Sequence, residues 1–181
     1  MKIQGAEAAS NEFRGLLDDL RNLRERAVLL NATMPEAEVH NLVHCCDAFV
    51  SLHRSEGYGL GLAEAMYLGL PVIGTGYSGN LEFMHSWNSM LVGYRLVNVP
   101  LGAYPHAEGQ HWAEPDLDEA TGRMIALIDN PETGRKLGAL GSESIRLRFS
   151  YWAAGMRYLQ RLIELQKRIS GATFNCSASG I

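Results

Sequence analysis

Two glutamates stand eight residues apart in the run Ser55-Glu-Gly-Tyr-Gly-Leu-Gly-Leu-Ala-Glu64, with Gly57, Gly59 and Gly61 alternating with Tyr58 and Leu60 between them. Glycines let a backbone come close to a ligand. The run follows an apolar stretch and leads into a helical one, so Glu56 lies in a strand-to-helix turn and Glu64 about one turn inside the helix. A helix start presents unpaired N–H groups and a positive dipole end, which suit a phosphate. Carboxylates at either side can accept hydrogen bonds from sugar hydroxyls. A nucleoside diphosphate sugar fits that set, with the diphosphate over the turn, the sugar ring at one glutamate and the ribose at the other. His53, just before the run, either hydrogen-bonds such a ligand or shapes the turn, and Arg54 is the nearest cation.

Rival chemistries are weaker on the same residues. A glycosidase also uses paired carboxylates, but rarely with both on one turn and its helix. Gly74-x-Gly76-x-x-Gly79 matches a dinucleotide fingerprint. The context an NAD-dependent oxidoreductase needs is missing, because residues 80–87 are too short and polar for a long helix and no acidic residue follows about 20 positions on. His40 and His44 share a helix face, yet Asn41 stands where a metalloprotease motif requires glutamate. No metal is expected.

The elements that must hold these residues follow from periodicity. Phe13, Leu16, Leu17, Leu20 and Leu23 give a helix over 11–25, and residues 27–30 form a short apolar run with strand character. Pro35 opens a helix continued by Val39, Leu42, Val43 and Cys46. Residues 47–52 read as a strand, 60–68 as a helix closed by Gly69, 71–75 as a second strand and 90–92 as a third. Residues 98–115 are rich in Gly, Pro and His and read as a long loop. Asp116 caps a helix to about 129, Asn130 caps another, and residues 150–169 carry the stripe Trp152, Met156, Leu159 and Ile163. Residues 170–181, small and polar, read as a disordered tail. Strands alternating with helices give a doubly wound, Rossmann-like parallel sheet covered on both faces, with ligands at the carboxyl ends of the strands. Residues 1–169 form one domain.

Composition narrows the partners. The net charge of −4, from 16 basic and 20 acidic residues, disfavours nucleic acid. Three cysteines, two of them adjacent (Cys45 and Cys46), build no disulfide framework. No stretch approaches the roughly 18 apolar residues that cross a bilayer. The expectation is a cytoplasmic chain with reduced thiols.

The residues also carry a resemblance. Glu56-x7-Glu64 with its glycines, continuing through Glu-Ala-Met-x-x-Gly-x-Pro-Val-Ile73, resembles the signature of retaining GT-B glycosyltransferases of the group-one (family four) type. Cys46-Asp-Ala-Phe-Val-Ser51, Trp112-Ala-Glu-Pro-Asp116 and Phe149-Ser-Tyr-Trp152 extend the likeness over about residues 2–168. The resemblance implies the C-terminal, donor-binding half of such an enzyme, taking a nucleoside diphosphate sugar as substrate without a cofactor and passing its sugar to an acceptor of unstated kind. By it, Glu56 meets hydroxyls of the donor sugar and is the catalytic-site carboxylate. The amides around Gly57, Tyr58, Gly59, Leu60 and Gly61 hold sugar and distal phosphate, and Glu64 grips the ribose. Ser78-Gly79-Asn80-Leu81-Glu82 stands where the family often has a Gly-Gly pair and a glutamate, so Gly79 and Asn80 join the donor set. The family's first strand of this domain, with its Arg/Lys loop, and its N-terminal acceptor domain have no counterpart, Lys2-Ile3 matching the second strand. The expectation is a chain inactive on its own, with the last helix left exposed and prone to self-association. The alternative is a non-catalytic module that binds a nucleotide sugar or a protein.

Overall fold

A computed structural model of the chain describes residues 15, 18–20, 22–23, 26–30 and 32–175. The chain divides into two units, Met1–Asn41 and Leu42–Ile181. In the first, residues 15, 18–20 and 22–23 are helical, as the periodicity of 11–25 predicts. The strand expected at 27–30 is not formed: these residues are irregular, with Val28 and Leu30 exposed. Four apolar residues are too few for pattern alone to settle, since a strand exists only through the ladder it joins. The strand remnant read at Lys2-Ile3 lies outside the described residues.

Helix α1 (Glu36–His44) starts on Pro35, whose carbonyl accepts from the amides of Glu38 and Val39. Strand β1 (Phe49–Ser51), helix α2 (Leu60–Tyr67), strand β2 (Val72–Thr75) and strand β3 (Met90–Val92) then build a parallel sheet in the order β1-β2-β3. Register pairs Phe49 with Val72 and Ile73 with Met90. All four β2 residues are buried, the mark of a strand covered on both faces.

Alternation along β2 sorts the core into two layers. Val72 joins Leu62, Ala65 and Met66 of α2, together with Phe83 and Met84, while Ile73 joins Met90, Val92 and Ala120 on the other face. Ala120 and Leu127 belong to helix α3 (Leu117–Asp129), which covers that second face. Helix α4 (Pro131–Phe149) serves both layers, sending Leu137 to one and Ile145 and Phe149 to the other. Each large apolar side chain so enclosed contributes about 1.5–3 kcal/mol relative to exposure. The expected doubly wound, Rossmann-like arrangement is therefore the one found.

Helix ends follow their sequence signals. Asp116 Oδ1 accepts from the Glu119 amide at 2.9 Å, and Asn130 Oδ1 from Thr133 at 3.2 Å. α2 stops in a Schellman motif, with the Gly69 amide bonded to Met66 O and Leu70 to Ala65 O. On the outside of that stop lies α4, so close that a Cβ on Gly138 would fall on the Gly69 carbonyl.

Two elements differ from expectation. Residues 98–115 are not one long loop: β4 (Tyr94–Asn98) and β5 (His111–Pro115) pair antiparallel, with only 99–110 between them. Half of the strand residues are exposed, so no buried alternation marks the ribbon, and Asn, Glu and Pro are poor strand formers. The final helix, α5 (Tyr151–Asn175), runs past the end expected at 169 and takes in 170–175 of the presumed tail. Residues 159–168 are Glu, Gln, Lys, Arg, Leu and one Ile, mostly strong helix formers, and the helix they propagate carries on into 170–175. Residues 176–181 lie outside the described residues.

Candidate functional site

The carboxyl ends of β1 and β2 open into two loops that lean on each other. Leaving β1, the chain passes His53, Arg54 and Glu56 into the glycine turn. Leaving β2, it passes Gly76 and Tyr77 into Ser78 and a short 3-10 turn, Gly79–Glu82. The loops are stitched at Glu56, whose carbonyl accepts from Ser78 Oγ at 2.6 Å and from the Gly79 amide at 3.1 Å. These bonds use the Glu56 main chain and leave its half-buried carboxylate outside them. No side chain fits at position 79, where a Cβ would strike the Gly57 carbonyl.

Gly59 caps α2 in the left-handed region (φ 88) and offers no side-chain acceptor. The first amide to bond back is Ala63, to Gly59 O. The amides of Leu60, Gly61 and Leu62 therefore lack intrahelical partners, as at any helix start, and carry the positive end of the dipole. Leu60, Gly61 and Glu64 share the less buried side of α2, opposite Leu62, Ala63, Ala65 and Met66. Tyr58 leans on Phe83 with ring centroids 5.1 Å apart. Burial first, and the charge of Glu82 second, push its phenol above the ordinary tyrosine range.

His53 and Asn80 form the floor beneath the two loops. Asn80 is fully buried and donates through Nδ2 to the Thr75 carbonyl at 3.0 Å. Its Oδ1 faces His53 Nε2 at 3.1 Å, and the Tyr77 carbonyl lies 3.1 Å from the same nitrogen. Two acceptors at one ring nitrogen place the proton on Nε2, leaving Nδ1 to accept from Ser51 Oγ at 3.4 Å. His53 thus shapes the turn. Asn80, expected among the donor contacts, spends its side chain internally.

Arg54, the cation nearest the turn, is engaged as well. Its guanidinium makes a two-pronged pair with Glu114 of β5, at 2.9 and 3.1 Å, and lies over the Trp112 ring at 4.7 Å. It is directed at the ribbon. Ser78 is the participant that sequence reasoning passed over. It holds a strained backbone (φ 80, ψ −152) of a kind that glycine normally supplies. The glycine spacing 74-76-79 leads only into the 3-10 turn, so the dinucleotide fingerprint lacks its helix.

The sequence model for glycosyl transferases group 1 matches residues 4–97, just over half of the chain. The chain belongs to the group 1 glycosyl transferases. Among relatives of this glycosyl transferase, trehalose synthase from Pyrococcus horikoshii is 27% identical over 128 residues, covering 71% of this chain and 26% of the relative. Sucrose-phosphate synthase from Thermosynechococcus elongatus superposes with a TM-score of 0.63 at 19% identity, over 87% of this chain and 35% of that one. Anabaena Alr3699/HepE, solved in complex with UDP and glucose, gives 0.61 at 17% identity, over 84% and 36%. At such identities the two structures speak for the fold, a GT-B Rossmann-like one. The chain spans about a quarter of the length of that curated relative and about a third of each of these structures. Among the described residues no helix is long and apolar enough to cross a membrane.

Proposed function

We propose that this chain is the donor-binding half of a retaining glycosyltransferase, holding a nucleoside diphosphate sugar across the Glu56–Glu64 turn. The observation that carries the reading is the α2 start: a helix N-terminus with no side-chain cap, entered through Gly59 in the left-handed region, with a carboxylate on either side. The diphosphate lies over the amides of Gly57 to Gly61, the transferred sugar meets Glu56, and the ribose hydroxyls meet Glu64. Gly79 lines the turn by letting the two loops touch. Family membership supports transfer chemistry, and retention of configuration rests on the glutamate signature.

In that reaction negative charge grows on the departing diphosphate. Donors already aimed at the developing charge supply the largest share of catalysis. Amides and a helix dipole do that here with no metal and no cofactor. Arg54 adds nothing while it is paired with Glu114, so further cations come from elsewhere in a whole enzyme. The chain on its own is accordingly a binder that does not transfer, and the acceptor is met by another domain. The exposed face of α5 is the surface we assign to that domain or, for the chain by itself, to a second copy. The exposed free thiols Cys45 and Cys46 fit a reducing, cytoplasmic setting.

The test is a thermal-shift panel of UDP-, GDP-, ADP- and dTDP-sugars and NAD on the chain and on Glu64→Ala. A ligand at a hundredfold over its Kd adds about 2.7 kcal/mol of stability. The reading expects one sugar nucleotide to raise Tm and the substitution to abolish that rise. Stabilisation by NAD alone would sink it.

A further inference from the structure

The β4–β5 ribbon is fastened to both loops of the site. On one side the Ala113 amide donates to the Arg54 carbonyl at 2.9 Å, while the Arg54 side chain pairs with Glu114 and covers Trp112. Three consecutive residues of β5 therefore grip one residue that sits two positions before Glu56. On the other side, Tyr94 at the start of β4 packs its ring against Tyr77, centroids 5.0 Å apart. The Tyr77 carbonyl in turn holds His53. The ribbon is anchored at its base as well, where Glu119 of α3 accepts from the Gly93 amide at 2.7 Å and the Asp116 amide bonds to Gly93 O at 2.9 Å.

We propose that Arg54 is a positioning residue and that the β4–β5 ribbon is the strut against which it sets the glycine turn. The inference rests on the donor reading for its purpose and on geometry alone for its substance. A glycine-rich turn has little side-chain packing to fix it, and glycine loses more conformational entropy on ordering than any other residue. The stitch to Ser78 and Gly79 holds the turn at Glu56. His53 ties the same segment to the loop after β2. Arg54 adds a fixed point on the ribbon by binding β5 through main chain and side chain together. A planar guanidinium against a carboxylate fixes orientation as well as distance, which a lysine at this position would not. Ordering the turn in advance removes part of the entropy that a ligand would otherwise pay on binding.

Hydrogen exchange on the ligand-free chain, Glu114→Gln and the charge-swapped double variant Arg54→Glu/Glu114→Arg tests the strut without any ligand. Glu114→Gln should speed exchange of the amides at 54–61 by about fivefold, the scale of one well-formed exposed pair, with β2 and α4 unaltered. The double variant should recover most of that protection. Unchanged exchange at 54–61 in Glu114→Gln overturns the proposal. So does a rise spread evenly over β2 and α4, which would mark general destabilisation, or a double variant no better than the single one. In parallel, any sugar nucleotide that stabilises the unaltered chain should bind Glu114→Gln about fivefold more weakly. If none binds the unaltered chain the donor reading fails by itself, and the exchange data still decide the strut.

Discussion

Ser78 sits in a backbone region that costs a residue with a Cβ about 1–3 kcal/mol, and its hydroxyl holds both the amide and the carbonyl of Glu56. Strain and stitch oppose each other in one side chain, which separates the outcomes of two small substitutions. Ser78→Ala keeps the strain and loses the bonds, so it should lower stability by about 1–2 kcal/mol in urea unfolding. Ser78→Gly loses the bonds but relaxes the backbone, and should stay within about 1 kcal/mol of the unaltered chain. An alanine variant as stable as the glycine one would show that the backbone at 78 is not strained. His53 is read the same way: truncating it to alanine leaves the buried Asn80 Oδ1 and the Tyr77 carbonyl without their donor. A loss of about 1–3 kcal/mol in the same experiment is expected; a neutral His53→Ala would mean that water replaces the ring. At this scale the spacing of the glutamates and glycines was legible in the sequence. It could not show that Asn80 and Arg54 are engaged by neighbours 27 and 60 residues away, because spacing says nothing about partners so distant.

Elements were legible where their signals are local. Asp116, Asn130 and Gly69 bound helices as their side chains or backbones require, and β2 reads as an unbroken buried run. The β4–β5 ribbon was not legible, because it buries little and its order comes from pairing across a 12-residue gap in sequence. Glu119 ties the base of that ribbon to α3. The Gly93 amide first, and Arg123 second, hold its carboxyl below the usual glutamate range. With the folded value depressed, the stability Glu119 contributes is present above the unfolded pKa of about 4.3 and is lost as pH falls through the folded value. Tm measured from pH 7 down to pH 3 should therefore fall less steeply below about pH 4.3 for Glu119→Gln than for the unaltered chain. Parallel curves would dismiss the Gly93 contact as a source of stability.

For the molecule as a whole, α5 is the feature that packing inside the chain does not explain. From Gly155 to Ser170 every residue is exposed, and over residues 151–170 only Ala153 is buried. Trp152, Met156, Leu159, Leu162, Ile163 and Ile169 are among the apolar residues left in solvent. A helix with so wide an apolar side gains most of its stability from what covers it. Sedimentation of the chain should show a mass that rises with concentration, and Leu159→Glu/Leu162→Glu should return it to that of a single chain. A constant single-chain mass across the range would remove self-association from the account. The doubly wound core was readable from the alternation of elements, and the stripe on α5 was readable as apolar. What covers that stripe is not written in periodicity.

One contact at the far end of α2 bears on how the site behaves under load. Because Gly138 of α4 rests on the Gly69 carbonyl, backbone meets backbone there, with no side chain between to act as a cushion. α2 is eight residues, about 12 Å, long. It is in effect a short rod, seated hard at one end while its other end opens on the glycine turn. Such a rod delivers a push rather than absorbing it. A donor bound at the glycine turn should slow hydrogen exchange around Gly138, a place it never touches, and unchanged exchange there at saturating donor would show that the seat gives. A volume increase as small as Gly138→Ala would lift the rod off its seat, and its damage should be felt as weaker binding at the opposite end of the helix.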